Sequence, residues 1–225
     1  EKFQLLPIIF LSAVSRESGF LEAISRGGDD FISKPFHPKE LVAKIKAIVR
    51  VKVLQDTVLE QNKKYNKELE MAKKVQEELI PLKNFHFGST KVRTFFQSLT
   101  EVGGDFVDAW ISNNNLHLFI ADCSGHGPSS ALIGAMLKMQ LSTIPENLGL
   151  NERVKSLRAN LKKVLPEDYS VTFFYGIFHE DKTLEYVNGG HPHPIMYDGK
   201  YLSLLRGSGN LIMNIDMDDS DEVHK

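Results

Sequence analysis

The sequence predicts an α/β segment joined by one long helix to an α+β domain. Three observations predict it: a strand, helix, strand rhythm over about residues 1–38, a run over about 39–80 without glycine or proline, and strand-rich blocks on either side of two amphipathic helices after about residue 85.

In the first segment, Pro7 to Leu11 is a short continuous apolar run, the pattern of a parallel strand covered on both faces. Ser15 to Gly27 places Phe20, Leu21 and Ile24 at helical spacing and ends in Gly27 and Gly28, so a short helix is expected there. "DDFISKPF" then reads as a strand ending at Ser33 or Lys34. The apolar opening and the acidic end, "MDDSDEVHK", are both expected to be cut through larger domains.

The second segment contains nothing that interrupts a helix until Pro81. Leu41, Ile45 and Ile48 form a first apolar face. Beyond it Val51, Val58, Tyr65, Ala72 and Leu79 recur every seven residues, with Ile48, Gln55, Asn62, Leu69 and Gln76 between them. These are the a and d spacings of a two-stranded coiled coil with several polar core slots, which lower stability while fixing register. A homodimer through this helix is therefore expected, with a solvated linker helix as the alternative.

In the third segment, strands are expected at Val92 to Leu99, Phe106 to Ile111, Leu116 to Ala121, Val171 to Phe178, Leu184 to Asn188, Pro194 to Tyr197 and Tyr201 to Leu205. "SNNN" at 112–115 reads as a turn. Helices are expected from Pro128 to Leu141 and from Leu150 to Leu165, the latter ended by Pro166.

Bulk properties narrow the function. A formal net charge of −2 gives no general reason to expect nucleic acid. One cysteine, Cys123, excludes an intrachain disulfide framework and suits a reducing compartment. No apolar run approaches the roughly 18 residues of a membrane span, so a cytoplasmic protein without membrane contact is expected.

The chemistry concentrates in "EVGGDFVD" and "IADCSGHG". Asp105 follows Gly103 and Gly104, where the backbone can approach closely, and Asp122 ends the next strand. A hairpin of the two strands brings both acids to one end. Two carboxylates so close are costly without cations between them, and hard oxygen donors suit magnesium or manganese.

Two resemblances carry these readings further. "LPIIFLSA", "GGDDFISKPF" and "ELVAKI" resemble the C-terminal half of a bacterial response-regulator receiver domain, a doubly wound fold. The resemblance implies that Ser12 is the hydroxyl that meets a phosphoryl group, that Lys34 is its paired ammonium, and that the Lys34–Pro35 bond is cis. It also implies a partner histidine kinase. The phosphoacceptor aspartate of that pattern belongs to earlier strands and is not in this chain.

"AKKVQEELIP", "EVGGDFVD", "IADCSGHG", "VTFFYGIF" and "YVNGGHPHPIMY" resemble the bacterial PP2C-like, metal-dependent serine/threonine phosphatases of the stress-response and sporulation type, which act on anti-sigma-factor antagonist proteins. The implied fold is a layered β-sandwich flanked by helices. The implied metal ligands are Asp105, Asp122 and the backbone carbonyl of Cys123, for two Mn2+ or Mg2+ ions in the intact domain. Asp108, His126 and His191 are expected to shape the site or lie near the substrate, and Cys123 is expected to be a buried structural thiol.

The acids that complete such a centre are expected beyond the chain, and Asp216, Asp218, Asp219 and Asp221 are not expected to replace them. The expected domains are 1–49, the C-terminal part of a receiver; 50–81, a helical linker; and 82–225, the phosphatase-like domain. Alternatives are a phosphatase-like module that binds a partner without turnover, and a cyclic-dinucleotide synthase. The latter leaves "ADCSGHG" unexplained and lacks the glutamate its hairpin needs before Phe106.

Overall fold

The structure is a computed structural model that describes residues 6–13, 16–80, 83–98, 101–207, 209–214 and 221–225, with the side chains of 16–19 left aside. Ser15, Pro81, Leu99, Asp216, Asp218 and Asp219, each named above, lie outside the described residues. The chain divides into two compact units, Glu1–Lys67 and Glu68–Lys225.

In the first unit, β1 (Ile9–Ser12) and β2 (Asp30–Ser33) are parallel and joined by α1 (Arg16–Ser25), a βαβ unit as the sequence rhythm required. Gly28 is needed where it stands, because a Cβ there would lie 2.5 Å from the Phe10 ring. Ala23, Phe31 and Ile32 are buried. Lys44 of α2 (Pro38–Leu79) holds both oxygens of Asp30, at 2.7 and 2.8 Å. The Lys34–Pro35 bond is cis.

At 1.5 Å per residue, the 42 residues of α2 extend over about 63 Å. Its seven-residue stripe has two environments. Val51, Val58 and Tyr65 are exposed, whereas Leu69, Ala72 and Leu79 are half-buried and Gln76 is buried. The same periodicity thus leaves an open apolar row early in the helix and packs into the second unit at its end.

The second unit is built on an antiparallel sheet in the order β11 (Ile212–Met213), β7 (Ser170–Phe178), β6 (Asn115–Cys123), β5 (Phe106–Ser112), with β8 (Leu184–Gly189) also pairing β7. The β5–β6 turn uses Asn113 and Asn114, both at positive φ, 49° and 58°. Two left-handed residues are what a tight hairpin matching strand twist needs, and asparagine tolerates them.

Side chains alternate across the sheet. Phe119, Cys123, Phe173 and Tyr175 face α3 (Pro128–Thr143) and α4 (Leu150–Lys162), meeting Ile133, Leu137, Val154, Leu157 and Leu161. Each fully buried aliphatic there is worth about 1.5–3 kcal/mol. Proline at the first position of α3 sacrifices no internal hydrogen bond, and Glu152 accepts the Gly149 N–H at the start of α4 at 2.8 Å.

On the opposite face, Ala109, Leu116, Leu118 and Phe178 meet Phe85, Phe87 and Val92 of a hairpin, β3 (Asn84–Phe87) and β4 (Thr90–Arg93). The expected strand at Val92 to Leu99 is corrected by this hairpin, since β4 ends at Arg93 and residues 94–98 are irregular. The second layer of the expected β-sandwich is accordingly, among the described residues, a two-stranded hairpin beneath a larger sheet. A further hairpin, β9 (Ile195–Tyr197) with β10 (Leu202–Leu204), is exposed.

Candidate functional site

Register places the two acids. Phe106 pairs with Ala121, so one further step along the same ladder sets Asp105 opposite Asp122. The Cys123 N–H, donating to the Gly104 carbonyl at 3.4 Å, continues this pairing past the end of β5. Across β6, Asp122 pairs with Thr172 of β7, and Thr172 Oγ1 lies 3.1 Å from His191 Nδ1. Asp105, Asp122, Thr172 and His191 therefore form one row across three strands and the loop after β8.

Gly104 explains how the chain brings Asp105 in. A Cβ on it would stand 2.7 Å from the Cys123 carbonyl oxygen and 2.9 Å from Ser130 Cβ. Only hydrogen fits there, so the backbone before Asp105 lies directly against the carbonyl expected as a third oxygen donor. Ser130 is buried at the start of α3 and donates to the Gly127 carbonyl at 2.9 Å.

The electrostatics follow from this closeness. Partial burial, then the Asp122 charge and a hydrogen bond with Asp122, raise the Asp105 carboxyl above its ordinary value, while His191 pulls it down. Burial lowers the His191 imidazole, against the opposing charges of Asp122 and then Asp105. The Cys123 thiol is pushed up to about 12 by burial, with Asp122 and Asp105 adding to it, so it stays protonated and unreactive at neutral pH.

His191 is held at a second point, its backbone N–H donating to Asn188 Oδ1 at 2.8 Å. Buried Asn188 also places its Nδ2 3.2 Å from His193 Nδ1. His126 sits exposed in the β6–α3 loop between Gly125 and Gly127, both at positive φ.

Asp108 departs from expectation. Three residues beyond Asp105 on an extended strand, it points to the other face of the sheet. There it is buried and takes charge-assisted bonds from Lys83 and Lys138, plus the Ala109 N–H at 2.8 Å. It anchors α3 and the chain before β3 to the sheet and is not beside the acidic pair. Asp221 is likewise occupied, its fully buried carboxylate paired with Arg158 at 2.6 Å.

Periodicity could not single out Thr172 and Asn188, because their place in the site comes from pairing partners far along the chain. Among the described residues no three or more His, Cys, Asp or Glu side chains gather into a metal cluster. What is present is two adjacent carboxylates and an abutting carbonyl, a hard-oxygen donor set that fits Mg2+ or Mn2+ in part of its coordination sphere. In the first unit, Ser12 and Lys34 lie at the carboxyl ends of neighbouring parallel strands, with the Lys34 N–H donating to the Ser12 carbonyl at 2.8 Å.

Comparison with known proteins locates relatives of both units. A sequence model of the Stage II sporulation protein E (SpoIIE) family matches residues 112–225. Over 45 residues the chain is 47% identical to the phosphate regulon transcriptional regulatory protein PhoB of Escherichia coli (strain K12), which is 20% of this chain and 20% of that protein. It is 53% identical over 45 residues to the response regulator GtcR of Aneurinibacillus migulanus, 20% of this chain and 19% of the other. The chain thus spans about a fifth of these curated relatives. The SiaA-PP2C domain of Pseudomonas aeruginosa shares the fold over 73% of this chain and 67% of its own, with a TM-score of 0.56 and 15% identity.

Proposed function

This chain belongs to the Stage II sporulation protein E family, and on that footing we propose that it is part of a metal-dependent protein phosphatase that hydrolyses phosphoserine or phosphothreonine on a regulatory protein. A PP2C-like domain preceded by a receiver-like region is a signalling architecture. The observation that carries the reading is the row formed by Asp105, Asp122, Thr172 and His191, with the Cys123 carbonyl beside it.

Asp105, Asp122 and the Cys123 carbonyl would hold Mn2+ or Mg2+. Such ions, when bound, supply charge neutralisation for the phosphoryl oxygens and acidify water toward neutral pH. The chain's own part is placement. The β5–β6 ladder fixes the two carboxylates across from each other, and Gly104 removes the side chain that would hold the backbone away. With His191 Nδ1 turned to Thr172 and the residue's backbone N–H held by Asn188, Nε2 is the ring nitrogen left to hold or pass a proton at the acidic pair. Cys123, buried and protonated, takes no nucleophilic role.

The proposed domains are 1–49, a receiver portion with Ser12 and Lys34 at its signalling end; 50–81, a dimerising linker; and 82–225, the phosphatase-like domain. The proposed substrate is an anti-sigma-factor antagonist-like phosphoprotein, and the proposed input is aspartyl phosphorylation by a histidine kinase. No described helix is long and apolar enough to cross a membrane, and a cytoplasmic location belongs to the same proposal.

The test is Mn2+-dependent release of phosphate from a phosphoserine protein by the intact protein and by Asp105→Asn and Asp122→Asn. Loss of turnover and of Mn2+ binding in both variants supports the reading. An intact protein that binds no Mn2+ would instead be a partner-binding module.

A further inference from the structure

The run "HPHP" at 191–194 holds two histidines, and the proposed chemistry gives a task only to the first. His193 is exposed, yet its ring is tied to a buried group. Asn188, 1% exposed near the end of β8, has its Oδ1 on the His191 backbone N–H at 2.8 Å and its Nδ2 3.2 Å from His193 Nδ1. One carboxamide therefore joins His193 to the residue that closes the row of Asp105, Asp122 and Thr172.

The amide has only one orientation open to it. A backbone N–H donates and never accepts, so the end facing His191 must be the oxygen and the end facing His193 the NH2 group. That NH2 also only donates, so His193 Nδ1 must meet it as a lone pair. The neutral ring then carries its proton on Nε2, on the side away from Asn188. Among the described residues no group takes Nε2, which leaves one directed N–H donor at the edge of the row.

The loop is built to keep that geometry. His191 and His193 each precede a proline, which biases both backbones to the extended region, and Pro192 and Pro194 fix their own φ. Asn188 is itself paired with Phe174 of β7 and backed by Gly209, where a Cβ would stand 2.5 Å from the Asn188 carbonyl oxygen. Little conformational freedom is left for a bound substrate to freeze out.

We infer that His193 is a specificity-determining residue whose Nε2–H donates to a main-chain carbonyl of the substrate beside the phosphorylated residue, and that Asn188 is its positioning residue. The acidic pair and its ions are the place for the phosphoryl group. His193 is exposed where His191 is half-buried, which suits contact with the chain around the reacting group. A main-chain carbonyl is present in every peptide substrate and absent from small phosphate esters. The inference rests on the phosphatase reading and adds to it a preference for phosphopeptides.

The experiment uses the full-length protein, comparing wild type with Asn188→Ala, His193→Asn and His193→Gln. Nitrogen NMR of the metal-free protein reads the His193 tautomer. Wild type should show the proton on Nε2, and Asn188→Ala should give a mixture of both tautomers. With Mn2+ present, kcat/KM for a phosphoserine peptide is divided by kcat/KM for p-nitrophenyl phosphate. His193→Asn and Asn188→Ala should lower this ratio by about fivefold, the loss of one net hydrogen bond, with the change mainly in the peptide KM. His193→Gln should keep most of the ratio, because its amide NH2 reaches the place of Nε2, whereas that of asparagine reaches only the place of Nδ1.

A wild-type ring protonated on Nδ1 overturns the inference, as does an unchanged ratio in His193→Asn. Equal losses for peptide and ester also overturn it, since the donor then serves the phosphoryl group. If Asn188→Ala does not fold, the wild-type tautomer and the two variants at the exposed position 193 decide the outcome. Wild type that hydrolyses neither substrate with Mn2+ marks failure of the phosphatase reading itself, whereas turnover of both with no effect at position 193 marks failure of this inference alone.

Discussion

Asp105 and Asp122 stand across the β5–β6 ladder from each other, one step beyond the Phe106 and Ala121 pair, close enough that burial and then the Asp122 charge raise the Asp105 carboxyl. Without a cation, that placement stores repulsion. Asp105→Asn or Asp122→Asn should therefore raise the melting temperature of metal-free protein. Both should abolish the stabilisation by Mn2+, which for a single site at a hundredfold excess over Kd is about 2.7 kcal/mol. Calorimetric melting with EDTA and with Mn2+ reads both effects. A variant that loses stability without metal and keeps its Mn2+ response contradicts the assignment of these two ligands.

Gly104→Ala should damage the site from the backbone. Its Cβ would stand 2.7 Å from the Cys123 oxygen and 2.9 Å from Ser130 Cβ. Neither neighbour is the end of a flexible side chain, so Gly104 itself must move and carry Asp105 with it. The expected cost is about 1–3 kcal/mol, the usual range for overpacking, with a loss of Mn2+ affinity larger than the stability loss explains. Urea unfolding beside Mn2+ titration separates the two. Gly88, with nothing within 4 Å of its added Cβ but a positive φ, is the matched control for backbone strain alone.

Arg158 should be a stability residue with no part in chemistry. Its Nε and one terminal nitrogen each lie 2.6 Å from an Asp221 oxygen. The same terminal nitrogen also donates to the Asn210 carbonyl, the other donates to the Leu211 carbonyl at 2.9 Å, and the guanidinium lies over the Phe173 ring, 5.2 Å from its centre. Arg158→Met leaves the fully buried Asp221 carboxylate unpaired, a change worth about 3–5 kcal/mol. The double variant Arg158→Met with Asp221→Asn should recover part of that loss. Chemical denaturation of the four proteins measures the coupling, and a double variant no more stable than Arg158→Met alone would contradict it.

Much of this was legible in the sequence because it depended on local pattern. A run without glycine or proline gave α2 within a residue or two, and the two asparagines gave the turn that fixes the β5–β6 register. That register alone puts residues 105 and 122 together. The β3–β4 hairpin was not legible. Its strands are four residues each and only Phe85, Phe87 and Val92 of it meet the sheet, so the Gly88-Ser89 dipeptide at its turn stood without a long alternating run on either side. Asp108 was misplaced because a spacing of three reads as one face on a helix and as opposite faces on a strand. Thr172 and His191 joined the row through pairings some 50–70 residues distant from Asp122, which no local window contains.

The open half of the α2 stripe makes dimerisation testable. Val51 is 51% exposed and Val58 53%, about two turns apart in the same seven-residue row. Burying such a pair against a second copy removes enough apolar surface to contribute a few kcal/mol, and a charge there should abolish that gain. Sedimentation equilibrium of the full-length protein should show a dimer that Val51→Glu with Val58→Glu converts to monomer. Lys63→Glu, on the polar side, should leave the dimer in place. A monomeric wild type would contradict the coiled-coil reading.

His117 gives the pH dependence of folding. It is 2% exposed, stacked on Trp110 with ring centres 5.1 Å apart, and its Nδ1 lies 3.0 Å from the Tyr175 hydroxyl. Burial, with the Arg153 charge adding to it, lowers its pKa from 6.5 to about 4. A histidine whose folded pKa is depressed is neutral in the native state and takes up its proton on unfolding. The unfolded chain then binds more protons between about pH 4 and pH 6.5, so stability rises with pH across that window. The contribution is fully present above pH 6.5 and is lost progressively on acidification, to a total of about 3 kcal/mol at 1.36 kcal/mol per pKa unit. Other groups titrate in the same range, so the measurement is a difference between proteins. His117→Gln keeps an amide to meet Tyr175 and removes the titrating ring. Urea midpoints of the two proteins from pH 7.5 to pH 4.5 should converge as the pH falls, because only wild type carries the proton cost. Parallel curves would mean that the imidazole accepts its proton in the folded state, and with it that the core around Trp110 and Tyr175 admits water.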